Sequence, residues 1–417
     1  MKPVLFLYLV LVLTFSSALA DDYRDARSEL FAAYRKADYP AMRIVARKAL
    51  AARPGYPGAL FNLALAEALD GDASASLQTL QDLLSVGVDF GVADIDEFAA
   101  LKELLEWGDY EAAVQRLYEP LGFAEVVATL DVNNFVPEGI AADADGHFYL
   151  GSIRHGDLVR LGESRKTLST PANGHWSVFG MRFDSAGGLW FASSAVPQFA
   201  NVGEDVGQSG LFRYDTKRGE ISHAALLPES DDPQVLGDLV IASDDIIYAT
   251  DSLMGVLYRY RVASKTYEAI VDRGVFGSPQ GLVLDATARF LYVADYVGGL
   301  YRVTLESGDV EKVAITANVT DYGIDGLYRY GEELIAIQNG IQPHRVVAMT
   351  LDDDGLSITG ARTIAANLEE FDEPTLGFVS GDDFYFVANS HWNRFDAQNE
   401  LPSALSGPII LRVSLLP

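Results

Sequence analysis

Phe135-Val-Pro-Glu-Gly-Ile-Ala-Ala-Asp-Ala-Asp-Gly-His-Phe-Tyr-Leu-Gly-Ser152 joins a Glu-Gly pair to an alternating strand, an Asp-Gly turn and an aromatic strand. Degraded copies of this pattern follow. They are Phe179-Gly-Met-Arg-Phe-Asp-Ser-Ala-Gly-Gly-Leu-Trp190, Gly237-Asp-Leu-Val-Ile-Ala-Ser-Asp-Asp-Ile-Ile-Tyr248 and Gln280-Gly-Leu-Val-Leu-Asp-Ala-Thr-Ala-Arg-Phe-Leu-Tyr292. Asp325-Gly-Leu-Tyr-Arg-Tyr-Gly-Glu-Glu-Leu-Ile-Ala336 and Pro374-Thr-Leu-Gly-Phe-Val-Ser-Gly-Asp-Asp-Phe-Tyr385 bring the number to six. Measured at the last residue of each copy, Tyr149 standing for the first, the spacings are about 41, 58, 44, 44 and 49 residues, the period of propeller blades.

In each copy the inner strand pair is followed by an outer hairpin, as at Gly156-Asp-Leu-Val-Arg-Leu161 and Gly299-Leu-Tyr-Arg-Val303, which makes four strands per blade. The sixth blade runs out at Pro417. Its outer strand is therefore expected from Ala124-Glu-Val-Val-Ala-Thr-Leu130, pairing the two ends of the chain and closing the ring, which removes open sheet edges.

Upstream, from Asp22 to Leu121, apolar residues recur at helical spacings of three and four. Asp38-Tyr-Pro-Ala41, Asp72-Ala-Ser-Ala75 and Asp109-Tyr-Glu-Ala112 each place an Asp where an N-cap carboxylate can accept the first free helical N–H groups. Three helical hairpins are expected, and the segment from Asp38 to Val86 resembles a tetratricopeptide array. The expected architecture is mainly β: residues 1–20 a leader, 21–122 helical hairpins and 123–417 a six-bladed β-propeller.

The leader reading rests on Lys2, the apolar run Val4 to Leu13 and the small-residue site Ala18-Leu-Ala20. That run is short for a bilayer span, so no membrane span is expected after cleavage. The 417 residues contain no cysteine and carry a formal charge of −28. Thiolate catalysis, Cys-based zinc sites and a lipobox are thereby excluded, and nucleic acid is disfavoured as a partner. An exported, acidic chain without disulfides suits a bacterial periplasm.

The inner strand of each blade starts near one mouth of the channel, so equivalent positions of the six copies form a ring: Glu138, Phe179, Gly237, Gln280, Asp325 and Pro374, with Asp238 and Glu373 adjacent. Converging carboxylates repel unless protonated, hydrogen-bonded or bound to a cation, and an oxygen-only set points to calcium or magnesium rather than zinc. His175 with Trp176 and His391 with Trp392 are placed to reach the channel mouth. A substrate contact or general base competes there with simple packing. His344 and Arg345 read as surface residues, and Asp143-Ala-Asp-Gly146 as a hairpin turn. The metalloprotease helix motif, phosphate loop and serine-hydrolase elbow are absent.

Pro137-Glu-Gly139, Pro279-Gln-Gly-Leu282 with Leu291-Tyr-Val-Ala-Asp295, and Ile324-Asp-Gly-Leu327 resemble the metal-site motifs of the senescence marker protein/gluconolactonase family of six-bladed propellers. The resemblance implies a divalent cation, usually calcium, held by Glu138, Gln280 and Asp325 and polarising a lactone carbonyl. The chain departs from the family where Gln280 replaces an Asn and Gly237 replaces a second. The resulting expectation is a metal-dependent hydrolase of a lactone or related ester, with Asp325 or Asp238 accepting a proton from water and with His175, His391 and Trp392 as candidate contacts to a small-molecule ligand. The alternative is a non-catalytic periplasmic binding or scaffold protein, its helical hairpins docking a protein or peptide.

Overall fold

The computed structural model describes residues 18–162, 165–402 and 405–416. The apolar run of the leader lies outside the described residues, and Ala18 opens the first helix. Among the described residues no helix is long and apolar enough to cross a membrane.

The protein is a six-bladed β-propeller preceded by a helical layer. Blade 1 runs from the channel outward through Pro137–Ala142, Phe148–Ser152, Leu158–Arg160 and Lys166–Ser169. Blades 2 to 5 repeat this meander from inner strands Ser177–Phe183, Leu236–Ser243, Pro279–Leu284 and Ile324–Tyr330. Blade 5 gains a short parallel strand, Ala314–Ile315, on its outer edge. Blade 6 takes Gly377–Ser380, Asp383–Val387 and Ile409–Ser414 from the C-terminal end and Ala124–Thr129 from the start of the propeller. The closure expected from the sequence is present, with Ala124 opposite Val413 and Thr129 opposite Ile409.

Five of the six inner strands share one irregularity. Pairing to the second strand slips at Pro137/Ile140, Val178/Met181, Leu236/Asp238, Pro279/Leu282 and Ile324/Gly326. The slips flank the ring positions Glu138, Phe179, Gly237, Gln280 and Asp325. A bulge bends the strand and re-aims its side chain, so the repeated defect turns these residues into the channel. The glycine after several of them has a separate cause: a Cβ on Gly139 would stand 2.0 Å from the carbonyl oxygen of Phe179, and one on Gly281 2.4 Å from the amide nitrogen of Leu327. Adjacent inner strands can approach this closely around the axis only without a side chain there.

The helical layer comprises α1 (Ala18–Arg35), α2 (Tyr39–Ala52), α3 (Pro57–Leu69), α4 (Ala73–Ser85) and α5 (Trp107–Leu117). Asp38 and Asp72 cap α2 and α4, accepting from the amides of Ala41 and Ala75 at 3.2 and 3.1 Å. The third cap is displaced. α5 starts at Trp107, so Asp109 lies in its first turn, and the expected partner helix is replaced by the 3₁₀ turns Val92–Asp94 and Asp96–Glu103. Trp107 and Tyr110, three apart and both buried, anchor α5 earlier than its Asp would.

Arg345, expected at the surface, is instead a buried clamp between the helical layer and the propeller. Its Nε donates to Gln338 Oε1 at 2.7 Å, and Nη1 and Nη2 donate to the carbonyls of Gly87 and Val86 at 3.2 and 3.0 Å. Burial lowers its pKa to about 10. Gly87 is obligatory for the clamp, because a Cβ there would sit 2.0 Å from Nη1.

Candidate functional site

A cavity of about 510 Å³ opens at the channel mouth where the inner strands begin. Three carboxyls reach it, Glu138, Asp325 and Glu373, with the amides of Gln198, Gln280 and Asn339 and the rings of Phe179, Tyr296 and Trp392. Among the described residues, no lysine, arginine or histidine lines it. Part of the loop after Ser194, including Pro197, Val206 and Gly207, forms the far wall.

Thr375 joins the carboxyls of blades 1 and 5. Its Oγ1 lies 3.0 Å from Glu138 Oε1 and 2.8 Å from Asp325 Oδ2. A hydroxyl has one proton to give, so the second carboxyl can bond it only by carrying a proton itself. The electrostatics agree. Burial, then the charge of Asp325, pushes Glu138 well above the usual carboxylate range, against hydrogen bonds from Trp392 and Thr375. Burial raises Asp325 to about 6. Glu373 rises to about 7, again through burial, with the charges of Asp325 and Asp372 adding and the Asn393 amide opposing.

The surrounding bonds fix these groups and leave other oxygens open. Trp392 Nε1 donates to Glu138 Oε2 at 2.6 Å, and Asn339 Nδ2 to Asp325 Oδ2 at 2.7 Å. Tyr296 donates its hydroxyl to Asn339 Oδ1 at 3.1 Å, which sets the orientation of that amide. The Asn393 amide donates to Glu373 Oε2 at 2.7 Å, and Gln280 Nε2 to Ser278 Oγ at 3.1 Å. Among the described residues, Asp325 Oδ1, Glu373 Oε1 and Gln280 Oε1 accept no hydrogen bond.

Gln280 and Gly237 fit one another. A Cβ on Gly237 would stand 3.3 Å from Gln280 Oε1, so the longer amide reaches into the space that the missing side chain leaves.

The remaining candidates lie elsewhere. Asp238, paired in register with Thr250, turns away from the cavity, and its Oδ2 meets Arg182 Nη2 at 3.3 Å in a buried ion pair. His175 is buried between blades 1 and 2, its Nε2 2.7 Å from Ser169 Oγ and its ring against Phe191 and Phe212. Burial lowers its pKa to about 4. His391 is also buried, with Nδ1 3.1 Å from Asp372 and Nε2 near Asn389 and Ser406. The structure thus brings together Glu138, Gln280, Asp325 and Trp392, and it leaves Asp238, His175 and His391 outside the cavity lining.

Thr375, Asn339 and Tyr296 were not singled out in the sequence. Thr375 directly follows a ring position, which was the available signal; Asn339 and Tyr296 each directly follow a second strand, the position that Ala195 and Ser252 hold in their blades, so the repeat marked the place although the residue types differ. Outside the channel, Asp143, Asp145 and His147 come within 4.8 Å of one another. There Asp143 Oδ1 accepts from the amides of Asp145 and His147 at 3.0 and 2.9 Å and Oδ2 accepts from Tyr149, the bonding of a hairpin turn.

The helical layer rests on the loops that carry the site. Arg53 Nη1 donates to the carbonyl of Val297, next to Tyr296, at 2.7 Å. Tyr56 packs on Tyr322 with ring centroids 4.9 Å apart, and Asp89 donates its amide to the carbonyl of Gln342 at 2.9 Å.

No protein family and no curated protein matches the chain. Solved structures are similar over about 70% of the chain. The PQQ-bound aldose sugar dehydrogenase of Streptomyces coelicolor shares 14% identity over 70% of this chain and 99% of its own, with a TM-score of 0.49. A calcium-binding protein, regucalcin, from Agrobacterium tumefaciens shares 18% over 70% and 95%, with a TM-score of 0.49. Virginiamycin B lyase from Staphylococcus aureus, in a catalytically inactive form with quinupristin, shares 13% over 70% and 100%, with a TM-score of 0.46. Likenesses this distant say nothing of chemistry. The blade count rests on the strand pairing described above.

Proposed function

We propose that this protein is a metal-dependent hydrolase of a lactone or related ester, with a calcium-like divalent cation held by Glu138, Gln280 and Asp325. The observation that carries the proposal is the pair of carboxyls on one Thr375 hydroxyl in a cavity that no basic side chain lines among the described residues. Among the described residues negative charge there lacks a counter-charge, and Glu138, Gln280 and Asp325 offer only oxygen, a hard donor set. When bound, such a cation would polarise the acyl carbonyl as a Lewis acid.

The chain's own residues supply the rest. Asp325 Oδ1 is placed to take a proton from water as the water oxygen bonds the acyl carbon; the ring C–O bond then breaks and that proton passes to the departing oxygen. Phe179, Val196 and Val235 exclude bulk water from the inner cavity wall. Trp392 and Thr375 hold Glu138, and Asn339 holds Asp325.

The rival reading, binding without catalysis, is favoured by the ion pair that withdraws Asp238 and leaves Asp325 as the single proton acceptor of the two anticipated. Export to a bacterial periplasm is part of the proposal, supported by the leader-like sequence. The test is ring opening of γ- and δ-lactones and aryl esters, read by proton release, in chelated protein with calcium, magnesium or manganese restored. Activity that returns with metal and is lost in Glu138→Gln is expected. Hydrolysis indifferent to chelator and to Glu138→Gln, or none with any metal, overturns the proposal.

A further inference from the structure

We propose that the outer part of this cavity recognises an alkylammonium group, so that its ligand is an organic cation. The inference rests on the cavity assigned above but on different atoms. Glu373 lies at the mouth with Oε1 unbonded, tied by Oε2 to the amide of Asn393, the residue after Trp392. Trp392 packs on Phe179 with centroids 6.2 Å apart, and both rings line the cavity together with Tyr296. A carboxylate beside aromatic faces is the arrangement that attracts a desolvated ammonium, through charge and through the ring quadrupoles.

The wall makes the choice of sign firm. The polar groups around the mouth are carboxyls, amides and hydroxyls, and no cation lines the cavity among the described residues to receive a carboxylate or phosphate. A neutral polyol would leave Glu373 without a counter-charge on losing its water, which costs free energy that an ammonium recovers. The backbone is also specialised here. Glu373 and His391, the latter immediately before Trp392, both adopt a left-handed conformation with φ of 64°. For a glutamate that conformation is uncommon, and strain of this kind gathers where a side chain must be aimed. The Glu373 carboxyl and the Trp392 indole both line the cavity.

The test uses the mature chain with three probes, butylammonium, its neutral isostere butanol and the bulkier tetraethylammonium, titrated calorimetrically with and without calcium. Both ammonium ions should bind, more weakly as salt rises, and butanol should not. Glu373→Gln, which keeps size and loses charge, should weaken the ammonium ions about tenfold, and Phe179→Leu should weaken tetraethylammonium more than butylammonium. Equal binding of ammonium and butanol, or unchanged ammonium affinity in Glu373→Gln, overturns the inference. The outcomes separate the two proposals: a calcium response without ammonium preference refutes this one alone, and ammonium binding without a calcium response refutes the metal site alone.

Discussion

Calcium should bind this protein in exchange for a proton. In the metal-free cavity Thr375 offers one hydrogen to two carboxyls, and Asp325 and Glu138 both titrate above their ordinary range because they are buried together. A carboxyl whose folded pKa lies above its unfolded one favours folding in its protonated form. Its contribution is complete below the unfolded value, 3.8 for Asp325, and is lost as pH rises through about 6. Raising the pH therefore loads the cavity with charge at a cost in stability, and a cation relieves that cost. While the pair still holds a proton, calcium must displace it, so affinity should rise about tenfold per pH unit. At fixed excess calcium the added stability should grow by about 1.4 kcal/mol per unit.

His175 works in the opposite direction. Held at about 4 against 6.5, it stabilises the fold fully above 6.5 and loses that contribution as pH falls through 4. Because it lies outside the cavity, it cancels in the difference between calcium-loaded and chelated protein. The measurement is therefore that difference in melting temperature from pH 5 to 8, with calorimetry in two buffers of unlike ionisation enthalpy to count protons. About one proton released per calcium just above pH 6, where Asp325 has ionised, with more below it and a fall toward zero above the pair's raised range, is expected. Affinity independent of pH between 5 and 7, with no proton released, would refute the shared-proton account of Glu138 and Asp325.

Other outcomes follow from single contacts. Asp325→Asn should abolish the calcium-induced rise in melting temperature; a full shift in this variant would remove Asp325 from the ligand set. Arg345→Ala should cost roughly 3 kcal/mol by leaving the carbonyls of Val86 and Gly87 and the amide of Gln338 unmatched, and limited proteolysis should then cut near residues 118–123. Gly139→Ala should destabilise by about 3 kcal/mol or more, since the new methyl meets the Phe179 carbonyl, and denaturant melts will show it. His175→Ala should lower stability by roughly 2 kcal/mol yet leave the calcium-induced shift intact; loss of that shift would restore His175 to the site.

The blades were legible because each is written in a period-two strand pattern with a turn at a fixed offset, and because ring closure follows from the last blade being one strand short. The channel residues were legible for the same reason. Glu138, Gln280 and Asp325 stand at one repeat position, and the bulge that turns them inward recurs with the repeat. What breaks the repeat was not legible. Asn339 and Tyr296 share one repeat position after their second strands, but the residue type there changes from blade to blade, and Arg345 is buried by residues some 258 positions away in sequence.

His175 and His391 show the converse error. Adjacency to an inner strand suggested the channel mouth, but strand ends also abut the spaces between blades. An imidazole there finds partners such as Ser169 or Asp372, which is how a buried polar ring is accommodated without a ligand. The nearest neighbour of each His makes the distinction. Trp176 hydrogen-bonds outward to Asp205 at 3.0 Å, whereas Trp392 hydrogen-bonds inward to Glu138 at 2.6 Å. A dipeptide of the same composition thus serves packing at one blade and the site at another.

Gly237 and Gln280 carry the argument furthest. Taken one at a time, each departs from the pattern expected of a metal ring, one by losing a ligand and the other by lengthening one. Together they are complementary, since the added methylene of Gln280 needs the space that Gly237 leaves, and the amide oxygen then lies open. The two positions are therefore sterically matched, and the proposed cation site depends on both at once. The coupling is measurable: Gly237→Asn and Gln280→Asn should each weaken calcium binding alone, and the double variant should bind more tightly than the product of the single effects allows. Additive losses would mean that the two positions never shared a site.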